Sequence, residues 1–193
     1  MSLRIVIADD EAVIRMGLRT MLEEKGYRVV GEAGDGTRAL DLVEKVRPDL
    51  VFVDIKMPGL DGLAVAETLA QTQKVPVILL TAYGERSMVD RARRAGVMGY
   101  LMKPLREADL VPAIEVALAR FRDLRSLAEE ITDLEEILET RKLVERAKGA
   151  LMQRLGLSEE EAYLRIQRAS RTSRRTMKEI AQEVLQSHDL PTD

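Results

Sequence analysis

No cysteine and no tryptophan occur among the 193 residues. Disulfides, thiolate zinc sites and cysteine nucleophiles are therefore excluded, and a reducing compartment fits. Aromatic residues make up only 3% of the chain, which argues against a stacking platform for single-stranded bases. The one histidine, His188, stands in a polar tail and is expected to be inert. No apolar run approaches membrane-spanning length. The opening Met1-Ser2-Leu3-Arg4 passes straight into a strand-like segment without the apolar stretch of a signal peptide. The expectation is a cytoplasmic chain with no membrane association.

An apolar fraction of 46% suffices for a packed core, and 33% charged residues suggest exposed helices. The net charge of −3 hides an asymmetry. Arg141 to Gln186 holds 11 Lys/Arg against 6 Asp/Glu, whereas residues 1–140 hold 19 against 25. An acidic front and a basic back suggest different ligands for the two parts.

Over the first 120 or so residues, short β-rich runs alternate with amphipathic stretches. Strands are expected near 3–8, 28–33, 50–54, 77–81 and 99–102, and helices near 12–25, 36–46, 61–71, 85–95 and from 106 onward. This alternation predicts an α/β fold, a doubly wound five-stranded parallel sheet with helices on both faces. Leu124, Leu127, Ile131, Leu134 and Leu138 then step by three and four residues among acidic flanks, a coiled-coil-like seam. Either the long helix lays that seam on its own domain or a homodimer forms through 124–138. Three shorter helices follow at 141–154, 158–170 and about 174–186, the second opened by a capping box, Ser158 with Glu161. Their expected apolar faces are Leu143, Ala147, Ala150, Leu151 and Leu155, then Ala162, Tyr163, Leu164, Ile166 and Ala169, then Met177, Ile180, Ala181, Val184 and Leu185. The expected organisation is residues 1–120, a linker helix 121–140, a three-helix domain 141–187 and a tail 188–193.

Asp9 and Asp10, Asp54, Thr81 and Lys103 each close a predicted strand. In an open α/β sheet, ligand chemistry sits outside the carboxyl ends of the strands. Three carboxylates, a hydroxyl and an ammonium in one cleft suit a hard divalent cation and a phosphoryl group. Mg2+ takes oxygen ligands and keeps several waters. Asp10 and Asp54 can ligate it directly, Asp9 through water, and the Lys56 backbone carbonyl completes the protein set. An acyl phosphate on Asp54 is the chemistry these groups suit, with Lys103 neutralising charge and the Thr81 hydroxyl donating to a phosphoryl oxygen. Glu11 is expected to cap the helix after the acidic pair.

The segments Ile7-Ala8-Asp9-Asp10-Glu11, Val53-Asp54-Ile55-Lys56-Met57-Pro58-Gly59-Leu60-Asp61-Gly62, Thr81-Ala82 and Tyr100-Leu101-Met102-Lys103-Pro104 resemble the receiver domain of bacterial two-component response regulators. The resemblance implies a flavodoxin-like fold and phosphorylation of Asp54 by a sensor histidine kinase. It implies Asp9, Asp10 and Asp54 around Mg2+, Thr81 as switch hydroxyl, Tyr100 as switch aromatic and Lys103 as phosphoryl contact. An aspartate-nucleophile phosphatase would carry a second aspartate where Lys56 stands, so an enzyme is not expected.

In the last third, Arg141, Lys142, Arg146, Lys148, Arg171, Arg174, Arg175 and Lys178 are candidate nucleic-acid contacts. Arg141-Lys142-Leu143-Val144-Glu145-Arg146-Ala147-Lys148-Gly149-Ala150-Leu151-Met152, with Glu161-Ala162-Tyr163, Ala169 and Met177-Lys178-Glu179-Ile180-Ala181, resembles an ANTAR domain. That resemblance implies binding of paired small-loop RNA hairpins in nascent transcripts and hence transcription antitermination. The alternative is a DNA-binding transcription factor, since receivers often carry helical DNA readers.

Overall fold

The computed structural model describes residues 2–72, 75–82 and 95–186. The chain divides into two compact units, Met1–Arg125 and Ser126–Asp193. The described elements are β1 (Arg4–Ala8), α1 (Ala12–Glu24), β2 (Arg28–Ala33), α2 (Gly36–Val46), β3 (Leu50–Asp54), α3 (Gly62–Thr72), β4 (Val77–Thr81), β5 (Gly99–Met102), α4 (Glu107–Leu155), α5 (Glu159–Ser173) and α6 (Met177–Gln186). The helix expected at 85–95 and the tail 188–193 lie outside the described residues.

In the first unit all strand pairs are parallel, in the order β2-β1-β3-β4-β5. This is the flavodoxin-like doubly wound order. The inner strands β1, β3 and β4 are near-continuous apolar runs because both sheet faces are covered, whereas the edge strand β2 carries Arg28 and Glu32. Val6, Ala8, Val51, Val53 and Leu79 pack with Ala39 and Val43 of α2 and Leu63, Ala66 and Leu69 of α3. The alternate residues Ile5, Ile7, Leu50, Phe52, Ile78 and Leu80 pack on the other face with Leu18 and Leu22 of α1 and Leu110, Ile114 and Ala117 of α4. Each fully buried Leu, Ile or Phe contributes roughly 1.5–3 kcal/mol relative to exposure. Register between neighbours (Ala8 opposite Val53, Asp54 opposite Leu80) brings the strand ends out together.

Short polar side chains start α2 and α3. The Arg38 N–H donates to Asp35 Oδ1 at 2.8 Å, and the Ala64 N–H donates to Asp61 Oδ1 at 2.8 Å. At α1 the expectation fails. Glu11 occupies the N-cap position, but its side chain makes no capping bond. Its backbone N–H donates instead to Asp9 Oδ1 at 2.8 Å, and its carboxylate lies 3.6 Å from Lys103 Nζ.

Two expected boundaries are corrected in the helical part. Linker and first output helix are one continuous 49-residue helix, α4. Neither glycine nor proline occurs between Ile114 and Lys148, so nothing interrupts the backbone near Thr140. The next helix, α5, runs to Ser173 rather than residue 170. There the Ser173 hydroxyl donates to the Ala169 carbonyl at 2.6 Å, a bond back along the helix that satisfies the serine side chain within it. Arg174 then ends it in the left-handed region at φ 55.

The second unit closes its own core with Val144, Ala147, Leu151, Ala162, Ile166, Ile180, Ala181 and Val184. The capping box at Ser158 and Glu161 is present in both directions. A second box, not anticipated, starts α6. The Glu179 N–H donates to Thr176 Oγ1 at 3.2 Å, and the Thr176 N–H donates to Glu179 Oε2 at 2.7 Å. Leu155, Tyr163 and Leu164, expected in the core, are exposed. The seam residues Leu124, Leu127, Ile131, Leu134 and Leu138 are also exposed.

Candidate functional site

β1, β3 and β4 carry Asp9, Asp54 and Thr81 to the carboxyl edge of the sheet, where all three are buried. Asp10, next along, is exposed, and Lys103 follows β5. Asp9, Asp10 and Asp54 each offer one carboxylate oxygen, and these lie within 4.8 Å of one another. Lys103 Nζ stands between two of them, 2.8 Å from Asp9 Oδ2 and 2.9 Å from Asp54 Oδ1. The Lys56 N–H donates to Asp54 Oδ2 at 3.1 Å. Asp10, Glu11, Asp54, Ile55, Lys56, Thr81, Ala82 and Lys103 line a cleft of about 220 Å³ above these groups.

Burial pushes the Asp54 carboxyl upward from its ordinary range. The Lys103 ammonium and the Lys56 N–H pull it down, and the Asp9 charge adds to the rise. Burial opposes the Lys103 charge, yet hydrogen bonds and charge from Asp9 and Asp54 outweigh it and hold the ammonium above its usual value. Two lysines, Lys56 and Lys103, stand among four acids, Asp9, Asp10, Glu11 and Asp54, so the cleft carries surplus negative charge. Asp9 Oδ2 is buried and has no partner of hydrogen-bond geometry, only the ion-pair contact with Lys103. Such an oxygen, converging with two other carboxylates, fits a hard divalent cation.

Two residues that sequence reasoning passed over hold this edge in shape. Arg15 Nη1 donates to the Asp9 carbonyl at 2.6 Å. A side chain at Gly62 would place its Cβ 2.0 Å from the Asp54 carbonyl oxygen, so only glycine lets α3 start beneath Asp54. The motif Asp61-Gly62, eight residues past the nucleophile candidate, was the available signal. Tyr100, on the edge strand β5, is 57% exposed and so points out of the core in this conformation.

In the second unit the basic candidates separate. Arg141, Lys142, Arg146, Arg171 and Arg174 are exposed and make no ion pair among the described residues. Arg175 pairs with Glu183, and Lys178 pairs with Glu139 at 2.6 Å. Lys148 departs from expectation. It is 7% exposed, and its ammonium lies 3.0 Å from Glu145 Oε1 and 2.7 Å from Glu159 Oε1. Those carboxylates hold its pKa above the usual lysine value, Glu159 first. Lys148 is therefore a pin between α4 and the start of α5 and presents no charge outward. A separate cleft of about 550 Å³ in this unit is lined by Leu157, Leu164, Arg165 and Thr172 among others, without a cluster of carboxylates.

Sheet order and acidic cleft together define the first unit as a signal receiver domain. The family model of the response regulator receiver domain matches residues 5–115, and that of the ANTAR domain matches residues 132–185. The chain belongs to the two-component response regulators that join a receiver to an ANTAR domain. It is 50% identical over 190 residues to the transcriptional regulatory protein PdtaR of Mycobacterium tuberculosis, covering 98% of this chain and 93% of that protein. Sporulation initiation phosphotransferase F of Bacillus subtilis is 37% identical over 105 residues, 54% of this chain and 84% of its own. Among solved structures, the receiver domain of a modulated diguanylate cyclase from Desulfovibrio desulfuricans G20 superposes with a TM-score of 0.59 at 32% identity, covering 63% of this chain and 98% of its own. A CheY-like receiver from Methanospirillum hungatei JF-1 gives 0.58 at 27%, covering 64% and 98%. Members of this family are regulatory rather than catalytic. Among the described residues no helix is long and apolar enough to cross a membrane.

Proposed function

We propose that Asp54 accepts a phosphoryl group from a sensor histidine kinase, and that this modification governs RNA-hairpin binding by the C-terminal domain and hence transcription antitermination. The observation that supports it most is the convergence of Asp9, Asp10, Asp54, Thr81 and Lys103 on one cleft of a receiver joined to an ANTAR domain. An Asp54 carboxylate oxygen attacks phosphorus, the bond from phosphorus to the kinase imidazole nitrogen breaks, and the imidazole leaves with the electron pair. Asp10, Asp54 and the Lys56 carbonyl would hold Mg2+, with Asp9 acting through water. When bound, the ion supplies positive charge that offsets the repulsion between carboxylate and phosphoryl group. Lys103 is already within 2.9 Å of Asp54 and takes up part of the added charge. Thr81 donates its hydroxyl to a phosphoryl oxygen, and Tyr100 turns inward into the room this movement vacates.

The exposed seam from Leu124 to Leu138 supports a homodimer, which would hold two ANTAR domains on two hairpins and gain avidity. The cellular setting this implies is the cytoplasm, where kinase and transcript both reside. Labelling with acetyl phosphate tests the chemistry: wild type is expected to take up phosphoryl groups and Asp54→Asn is not. Gel shifts on a two-hairpin RNA test the coupling. Equal affinity of phosphorylated and unphosphorylated protein at all concentrations would refute it. Preference for duplex DNA over hairpin RNA at matched salt would favour a DNA-binding output instead.

A further inference from the structure

The C-terminal unit carries a glycine that its own packing does not require. Gly149 lies inside α4 and outside the left-handed region, and a methyl group built on it would meet no atom within 4 Å. Glycine in a helix interior is disfavoured relative to alanine, because the unfolded chain gains freedom. Gly156, by contrast, ends the region at φ +67. The fold explains Gly156 and leaves Gly149 without a role inside the domain.

Its neighbours on the helix surface are informative. Lys142, Arg146 and Gln153 lie seven and three residues before it and four after, on the same exposed face. Neither Lys142 nor Arg146 has an ion pair among the described residues. Glu145 borders the strip on one side, its carboxylate held 3.0 Å from the inward-facing Lys148. Met152, three residues after Gly149 and 38% exposed, is the one large apolar side chain bordering the strip, so a protein partner would gain little there by apolar burial. Its positive charge suits a phosphate backbone. A backbone without a side chain leaves room there for close approach by a sugar, whose 2′-hydroxyl distinguishes RNA from DNA.

We propose that Gly149 is a point of close approach, where the sugar-phosphate backbone of a bound RNA loop lies directly on α4 with Lys142 and Arg146 as its phosphate contacts. This rests on the RNA-binding reading above. The test uses full-length protein, wild type and Gly149→Ala, with a synthetic RNA of two small-loop hairpins and a hairpin-free RNA as control. Gly149→Ala is expected to bind the hairpin RNA at least about tenfold more weakly. Its melting temperature is expected to rise by roughly 2–6 °C, with the sedimentation coefficient unchanged. Unchanged affinity overturns the proposal, as does a lower melting temperature, which would return the glycine to the fold. A changed oligomeric state with unaltered affinity per binding unit would assign the strip to a second copy of the chain and also overturn it. Wild type failing to distinguish the hairpin RNA from the control would sink the RNA-binding reading and this inference together. Wild-type binding matched by Gly149→Ala sinks this inference alone.

Discussion

Gly62→Ala is expected to damage both the stability of the receiver and its chemistry. An alanine Cβ would sit 2.0 Å from the Asp54 carbonyl oxygen, 2.8 Å from its carbonyl carbon and 3.0 Å from Ile55 Cα. All three are backbone atoms of the β3 exit, so no side chain can swing away to make room. Relief demands a shift on the order of 1 Å between β3 and α3, and the Gly62 N–H to Ile55 carbonyl bond of 3.0 Å ties the same two segments. Overpacking of this kind costs about 1–3 kcal/mol, against which alanine's better helix propensity returns about 0.5–1 kcal/mol. A net loss of about 1–2 kcal/mol lowers the melting temperature by roughly 4–8 °C for a domain of this size. Moving Asp54 by about 1 Å also misplaces the carboxylate proposed to accept the phosphoryl group, an error that can cost on the order of a hundredfold in rate. Thermal unfolding and acetyl-phosphate labelling read the two effects. Gly17→Ala is the control of opposite sign, since it is mid-helix in α1 with nothing within 4 Å of the added methyl. A Gly62→Ala protein as stable and as readily labelled as wild type would show that the close approach beneath Asp54 does not constrain the site.

Mg2+ at about a hundredfold over its dissociation constant is expected to stabilise the wild-type receiver by about 2.7 kcal/mol, and Asp10→Asn to lose most of that gain in the same melting assay. At the second helix of the output domain, the Ser158 backbone N–H and hydroxyl hold the Glu161 carboxyl below its ordinary range. A depressed folded value means stability that is present above the unfolded pKa and lost as pH falls through the folded one. The melting-temperature gap between wild type and Glu161→Ala is therefore expected to be largest near neutrality and to close in acid. For RNA binding, the five exposed and unpaired cations Arg141, Lys142, Arg146, Arg171 and Arg174 imply a slope of log affinity on log salt of roughly −3 to −4 per domain. Arg146→Ala is expected to reduce that slope by about 0.7, whereas Lys148→Met, already paired inside, is expected to leave it unchanged in filter-binding titrations.

Strands and site were legible for one physical reason. A strand buried on both faces must be apolar throughout, so Leu50-Val51-Phe52-Val53 announces itself and the first polar residue after it marks the sheet edge. Asp9, Asp54, Thr81 and Lys103 were placed at that edge in this way. What stayed hidden depends on three-dimensional neighbours. Gly62 reads as an ordinary loop glycine until the Asp54 carbonyl is known to lie beneath it. Glu11 has the position of a cap, but the Lys103 ammonium lies within 3.6 Å of its carboxylate and no capping bond forms. Lys148 reads as a surface charge by type, although its place beside Val144, Ala147 and Leu151 on the buried stripe of α4 was available as a warning. Charge counts report composition, while exposure and pairing decide which charges a ligand meets.

The same distinction limits how the proposed switch can work. Converting a two-state element from 1:99 to 99:1 takes about 5.5 kcal/mol. One charge-assisted hydrogen bond gives about 1.5–3 kcal/mol, so the Thr81 hydroxyl alone falls short and about two to four donors must act together. Lys103 is the nearest, but it is shared, 2.8 Å from Asp9 and 2.9 Å from Asp54. Any movement of its ammonium toward a phosphoryl group withdraws the one positive charge facing Asp9 Oδ2, an oxygen without another partner. In the proposed switch a cation held by Asp9 and Asp10 would compensate that loss, which would couple cation affinity to phosphorylation through Lys103. The bias available to the rest of the chain would then be the surplus left after Asp9 is satisfied, which would make the occupancy of the acidic cleft part of the signal.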